Sequence, residues 1–217
     1  MTPPASPDRP DPDPLRSPRF LSEARRKLIH LGFIILPVAL LYPILPWPRG
    51  RGQLRTLLIV LVVVAMTLDL LRLHAPRVRQ FFRRFFGEMI REHEQLSLLG
   101  STYLLLAALL AIEIFPQPVA AASLGFTVLG DAFAAMAGRA WGRTRLFKKT
   151  IEGALAGFAA CLAWAAFLAG AGHLPWVTVL CGAVAASLIE LLPIPLDDNL
   201  GITLFSGYVM KLIGMPG

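Results

Sequence analysis

Apolar residues come in long runs without period, at roughly 29–47, 54–71, 97–115, 118–137, 152–172, 174–192 and 200–215. About 20 residues of helix cover the hydrocarbon core of a bilayer at 1.5 Å per residue, and most of these runs come near that length. They predict an all-α, polytopic membrane protein with six or seven transmembrane helices. The count turns on the last run, which is short and carries Lys211. Pro37, Pro43 and Pro46 predict an irregular first span that kinks or ends early.

The segments between the runs carry patterns of their own. Residues 1–20 are rich in proline with scattered Asp and Arg, cannot bury a core, and predict a disordered cytoplasmic tail. They are not a signal peptide, because the apolar run starts too late and no small-residue cleavage site follows. Near residues 77–94, Phe81, Phe82, Phe85, Phe86 and Met89 recur at helical spacing while Arg79, Arg83, Arg84, Glu88 and Arg91 face away. That is an amphipathic helix in the headgroup plane, an interfacial anchor or a guide for a lipid substrate.

Composition agrees with the pattern. The 217 residues are 55% hydrophobic and 16% charged, with a mean hydropathy of +0.61. So few charges cannot cover a soluble domain of this size. The net charge of +7 belongs to loops facing anionic lipid rather than to nucleic acid. Six Lys and Arg lie before residue 29, six in 72–96 and five in 138–151. The alternate loops hold only Arg49, Arg51 and Arg55, a discordant cluster. The bias places the N-terminus in the cytoplasm. Cys161 and Cys181 sit inside apolar runs as inert packing residues.

Charged groups near a membrane core are expensive, so each is a candidate for function. In this topology Asp131, Glu152, Glu190, Asp197 and Asp198 all reach the cytoplasmic ends of their runs. The basic group Arg139, Arg143, Arg145, Lys148 and Lys149 lies on the same side. Carboxylates for Mg²⁺ beside cations for phosphate are what phosphoryl or nucleotidyl transfer needs.

Asp131, Ala135, Gly138 and Gly142 share one helical face, suited to a ligand or simply to a close helix neighbour. Glu23, Arg26, Lys27 and His30 line the face of an entering helix, either as an anchor with an internal ion pair or as phosphate donors. Thr150 with Glu152, and Asp198 with Asn199, also fit plain helix caps. Asp69 is accounted for by pairing with Arg72. Glu113 falls at the opposite surface. No phosphate loop or dinucleotide fingerprint is present.

These residues resemble the CTP-dependent lipid kinases: dolichol kinase, phytol kinase and the yeast-type diacylglycerol kinase. The resemblance lies in four blocks. The first is Glu23-Ala-Arg-Arg-Lys27-Leu-Ile-His30, the second Gly100-Ser-Thr-Tyr103. The third is Gly130-Asp131-Ala-Phe-Ala-Ala135 with Gly138 and Gly142, leading to Lys149-Thr150-Ile-Glu152-Gly153. The fourth is Glu190 with Asp198-Asn199. The third block is shared with phosphatidate cytidylyltransferases. Those end in a His-Gly-Gly stretch with Asp-Arg, where this chain has Leu196-Asp197-Asp198-Asn199-Leu200.

The resemblance implies a single transmembrane catalytic domain over 21–217 that moves the γ-phosphoryl group of CTP to a lipid alcohol. By this reading Asp131, Glu152, Glu190 and Asp198 are the metal ligands, and Asp131, Asp198, Glu190 and Lys149 are catalytic. Gly138, Arg139, Gly142, Lys148, Lys149, Glu152, Arg26, Lys27, His30 and Asn199 contact nucleotide. The implied partners are Mg²⁺, CTP, a lipid alcohol and the bilayer, with no nucleic acid and with an oligomer compatible. A CDP-lipid synthase and a non-catalytic transporter or scaffold are the alternatives.

Overall fold

A computed structural model of the chain describes residues 18–87, 93–147 and 149–214. The first 17 residues of the expected tail, residues 88–92 of the amphipathic stretch, and Lys148 lie outside the described residues.

The first apolar run departs from expectation. Helix α1 (Pro18–Gly32) begins inside the predicted tail, and α2 (Ile35–Leu41) has only seven residues. No continuous span covers 29–47. Pro37 has no N–H to donate to the carbonyl of Phe33, and its ring crowds that carbonyl. The chain turns there with short-range bonds, Phe33 N to His30 O and Ile34 N to Leu31 O, both 3.0 Å. Tyr42 is extended before Pro43 (φ −130°, ψ 141°), which ends α2.

The later runs form α3 (Gly50–His74), α5 (Gly100–Ile114), α6 (Gln117–Gly125), α7 (Asp131–Trp141), α8 (Ile151–Gly170), α9 (Trp176–Leu191) and α10 (Asp198–Gly214). The short α4 (Pro76–Phe86) follows α3, which ends before Pro76. Against six or seven predicted spans, three helical stretches among the described residues are long and apolar enough to cross a membrane: Gly50–His74, Gln117–Trp141 and Ile151–Gly170. Gly100–Ile114 and Trp176–Leu191 are apolar but shorter.

Burial sorts these helices into layers. The stretch Gln117–Trp141 is 72% buried along its apolar window, whereas Gly50–His74 is 22% buried. The former is therefore the central helix, and the latter offers Val60, Val63 and Val64 outward. The central helix is interrupted by one π-turn over Phe126–Gly130, immediately before Asp131. Such turns insert a residue into the helical register and often sit at functional sites.

Two of the discordant arginines, Arg51 and Arg55, have partners at the far end of the bundle. Arg55 pairs with Glu113, Arg51 donates to the carbonyl of Ile112, and Lys211 donates to that of Ile114 at 3.3 Å. Cations at the C-terminal end of α5 complement its dipole. Opposite this end lie the predicted site residues.

Candidate active site

Helix α7 opens at Asp131. The ammonium of Lys27, from α1, donates to Asp131 Oδ2, and His30 Nε2 stands 3.5 Å from the same oxygen. Lys27 is 1% exposed, so the pair is shielded from water. One turn before Lys27, Glu23 binds Arg26 and accepts from Arg139 Nη2 at 3.1 Å. The face Glu23–Arg26–Lys27–His30 thus docks α1 on α7 through charges.

The loop after α7 is not plain coil. Strands β1 (Arg145–Leu146) and β2 (Lys149–Thr150) form a two-residue antiparallel ladder, with Arg145 opposite Thr150. Phe147 takes the left-handed conformation at its tip (φ 55°). The ladder aims Lys149 inward, 3.0 Å from Asp198 Oδ2 at the start of α10 and 3.5 Å from Glu190 Oε1 at the end of α9. Burial works to lower the Lys149 pKa, but the Glu190 and Asp198 carboxylates outweigh it and raise the value above an ordinary lysine's.

A cavity of about 660 Å³ joins these groups. Asp131, Gly138, Arg139, Gly142, Lys149, Glu190 and Asp198 all line it. Glycine is needed where α7 and α8 touch: a Cβ on Gly138 would stand 2.8 Å from Thr150 Oγ1, and one on Gly153 would stand 2.7 Å from Ala134 O. Gly142 ends α7 against Thr150, so the same glycines both pack the helices and floor the cavity.

Other predicted residues lie elsewhere. Glu152 is at the base of the hairpin, where its oxygens accept from Thr144 N at 3.1 and 3.3 Å, and it is outside the lining of this cavity. Arg26, His30 and Asn199 line a second, smaller cavity that meets the first at Asp131 and Asp198. Thr150 caps α8 as its residue type predicts, accepting from Gly153 N at 3.2 Å. The α10 cap is Asp197, whose Oδ1 accepts from Asn199 N and Nδ2, both at 2.9 Å. That leaves Asp198 free to meet Lys149. Burial raises the Asp197 pKa above the ordinary carboxylate value.

One residue bearing on the site, Glu94, was missed in the sequence, while Ser101 and Arg145 were read only as part of a motif and of a basic group. Glu94 is buried and accepts from Gly100 N at 3.1 Å, and Ser101 lines the smaller cavity beside it. Arg145 joins the larger cavity. No local pattern singles out Glu94, which sits between two apolar elements. Behind this loop, Asp69 and Arg72 pair as expected and hold it. Asp69 Oδ2 accepts from Leu99 N (2.9 Å) and Thr102 Oγ1 (2.7 Å), and Arg72 donates to the carbonyls of Glu94 (2.9 Å) and Ser97 (2.6 Å).

Asp131, Glu190 and Asp198 offer only oxygen donors, the chemistry that suits a hard divalent cation. Among the described residues no three His, Cys, Asp or Glu side chains converge into a ready metal cage. Such a set fits Mg²⁺ brought in with a nucleotide, since Mg²⁺ commonly takes one or two carboxylates and completes its shell with phosphate oxygens and water.

Comparison with known proteins gives two full-length likenesses. An uncharacterised protein of Rickettsia prowazekii is 25% identical over 197 residues, covering 88% of this chain and 94% of that protein. The CTP-dependent diacylglycerol kinase 1 of Schizosaccharomyces pombe is 25% identical over 213 residues, 88% of this chain and 93% of its own length. No family model matches the chain, and no solved structure matches it. The chain is thus distantly similar, over most of its length, to a CTP-dependent diacylglycerol kinase.

Proposed function

We propose that the protein is a membrane lipid kinase that transfers the γ-phosphoryl group of CTP to the hydroxyl of a lipid alcohol. The observation that carries this reading is Lys149 set between Glu190 and Asp198, in one cavity with Asp131 and Arg139. An anion-binding cation beside hard oxygen donors is what a nucleotide triphosphate with its metal requires.

In this reading the triphosphate enters the larger cavity and takes Lys149, Arg139 and Arg145 as partners. Lys149 then gives up part of its contact with Glu190 and Asp198, freeing carboxylate oxygens. Asp131, Glu190 and Asp198 would hold Mg²⁺, which when bound neutralises charge on the β- and γ-phosphates. Lys27 fixes the rotamer of Asp131 from behind. The lipid oxygen forms the new bond to the γ-phosphorus. The bond from that phosphorus to its bridging oxygen breaks, and the electron pair leaves on CDP. The hydroxyl proton passes to Asp198. Positioning and charge neutralisation supply most of the acceleration in such transfers.

The test is purified protein with Mg²⁺, γ-labelled CTP, ATP as a control and a panel of lipid alcohols. Label on a lipid with release of CDP supports the reading. Pyrophosphate release with a CDP-lipid formed from phosphatidate overturns it in favour of a cytidylyltransferase. CTP binding without turnover of any lipid favours the non-catalytic alternative.

A further inference from the structure

The smaller cavity, about 270 Å³, lies across Asp131 and Asp198 from the triphosphate cavity. Its lining is of two kinds. Phe33, Leu104, Phe82 and Phe86 are apolar, while Glu94, Ser101 and Asn199 are polar. Three buried polar atoms of its lining residues have no hydrogen-bond partner: Oδ1 of Asn199, a residue 8% exposed, Nε of Arg26, and Nε2 of His30, which stands 3.5 Å from Asp131 Oδ2. Leaving a buried polar atom unpaired is unfavourable, so each of these has bonding capacity to spare for a ligand. The first can accept from a hydroxyl and the second can donate to an oxygen, so together they match a small neutral oxygen-bearing group.

Charge narrows the choice further. Glu94, Asp131, Asp197 and Asp198 face this cavity against Arg26 and His30. Lys27 already answers Asp131, and Lys149 answers Asp198. An anionic head group would meet the remaining carboxylates, Glu94 and Asp197, and like charges repel.

Helix α4 says where the ligand comes from. Its described residues include none that are buried, and Phe81 and Phe85 are 54% and 63% exposed. With Arg77, Arg79, Arg83 and Arg84 on the same short helix, it is suited to lie in the headgroup plane. Phe82 and Phe86, one turn apart with ring centroids 5.7 Å apart, line the cavity, Phe82 half-buried and Phe86 still 46% exposed.

We propose that this cavity is the acceptor site, which admits the hydroxyl-bearing head of an uncharged lipid past Phe82 and Phe86 and rejects anionic phospholipids. It rests on the phosphoryl-transfer reading for its role, though not for its existence as a lipid site. Arg26 and Asn199 are then acceptor-binding residues rather than nucleotide contacts.

The experiment uses the full chain in phosphatidylcholine nanodiscs with a diacylglycerol analogue that carries a diazirine near its head. Photolabel is expected on α4 and on residues 99–104. Unlabelled diacylglycerol should displace it, and an equal mole fraction of phosphatidate should not. Phe82→Ala with Phe86→Ala should cut labelling several-fold. In the transfer assay the same variant should raise the lipid KM about tenfold and leave the CTP KM within about twofold. Label confined to the outer face of α3, or equal displacement by phosphatidate, overturns the proposal. Labelling of the cavity without γ-phosphoryl transfer would keep the lipid site and sink the kinase reading. Transfer with label elsewhere would do the reverse.

Discussion

Lys27 and Asp131 meet across 104 positions of sequence, and their contact is the pin between α1 and α7. Lys27 is 1% exposed and Asp131 14%. A buried ion pair adds little net stability over an apolar pair, but removing one partner leaves a charge without compensation. The contact therefore tells more about position than about stability: it fixes one carboxylate oxygen and leaves the other for the cavity.

Lys27→Met should lower unfolding free energy by about 3–5 kcal/mol, the usual loss when a buried pair is broken from one side. Asp131→Asn should abolish turnover while the protein still folds. The double variant should regain most of the stability and none of the activity. Thermal unfolding in detergent, read beside γ-phosphoryl transfer, checks all three. Near-normal turnover in Asp131→Asn would sink the assignment of that residue.

A pH effect is expected at Asp197. Burial raises its folded-state pKa above the ordinary 3.8, so the folded chain binds more protons than the unfolded one across the window that opens at that value. Its contribution is thus most favourable below 3.8 and declines as pH rises through the folded value. Asn at this position can still cap α10 and carries no charge. Asp197→Asn should raise the unfolding midpoint at neutral pH and lose that advantage as pH falls toward 4. A constant or widening advantage on acidification would contradict this account.

How much of the site could be read from residues alone depends on the range of the interaction. The gathering of Asp131, Glu190 and Asp198 with Arg139 and Lys149 in one cavity was legible, because the acids and the basic loop fall at matching ends of apolar runs. Thr150 as a cap and Asp69 with Arg72 were legible because they are local. The break at Phe33–Ile34 was half legible: the prolines announced an irregular span, but not that α2 would be seven residues long. The π-turn before Asp131, the hairpin that aims Lys149, and the division into two cavities were not legible. Each depends on partners tens of residues away. Asn199 shows this best: beside Asp198 it read as a nucleotide contact or a cap, and only the fold sets it among Glu94, Ser101 and Phe82.

The Asp69–Arg72 pair should control the loop that leads into α5 and Ser101. Both residues are buried, and Arg72 holds the carbonyls of Glu94 and Ser97. Arg72→Met strands Asp69 and frees two carbonyls, so a loss on the order of 3 kcal/mol is expected. Amide exchange over 93–102 should rise well before global unfolding, and the lipid KM should rise more than the CTP KM. Unchanged exchange in this segment would remove the clamp from the argument.

Small residues between α7 and α8 give a test with an internal control. Gly153→Ala sets a Cβ 2.7 Å from a backbone oxygen, which cannot rotate away, so the helices must part. A loss of about 1–3 kcal/mol is expected, with activity falling as the cavity floor shifts. Gly52→Ala on α3 meets nothing within 4 Å and should be neutral or stabilising by up to about 1 kcal/mol. Equal effects at the two positions would mean that close approach is not the reason for Gly153.

Lys149 carries the sharpest expectation. It is 30% exposed, and Glu190 and Asp198 keep its pKa above 10.5 despite its burial. Because the folded value is raised, its stabilising contribution is complete below the unfolded pKa and is lost only as pH rises through the folded one. The stability gap between wild type and Lys149→Met should therefore narrow on the alkaline side of 10.5. Catalysis should respond differently. Removing a cation aimed at developing phosphate charge costs on the order of a hundredfold in kcat/KM for CTP. Lys149→Arg keeps the charge and should recover part of that loss. A stability change without a change in CTP kinetics would leave Lys149 as a strut between α9 and α10, and the nucleotide would have to be sought elsewhere.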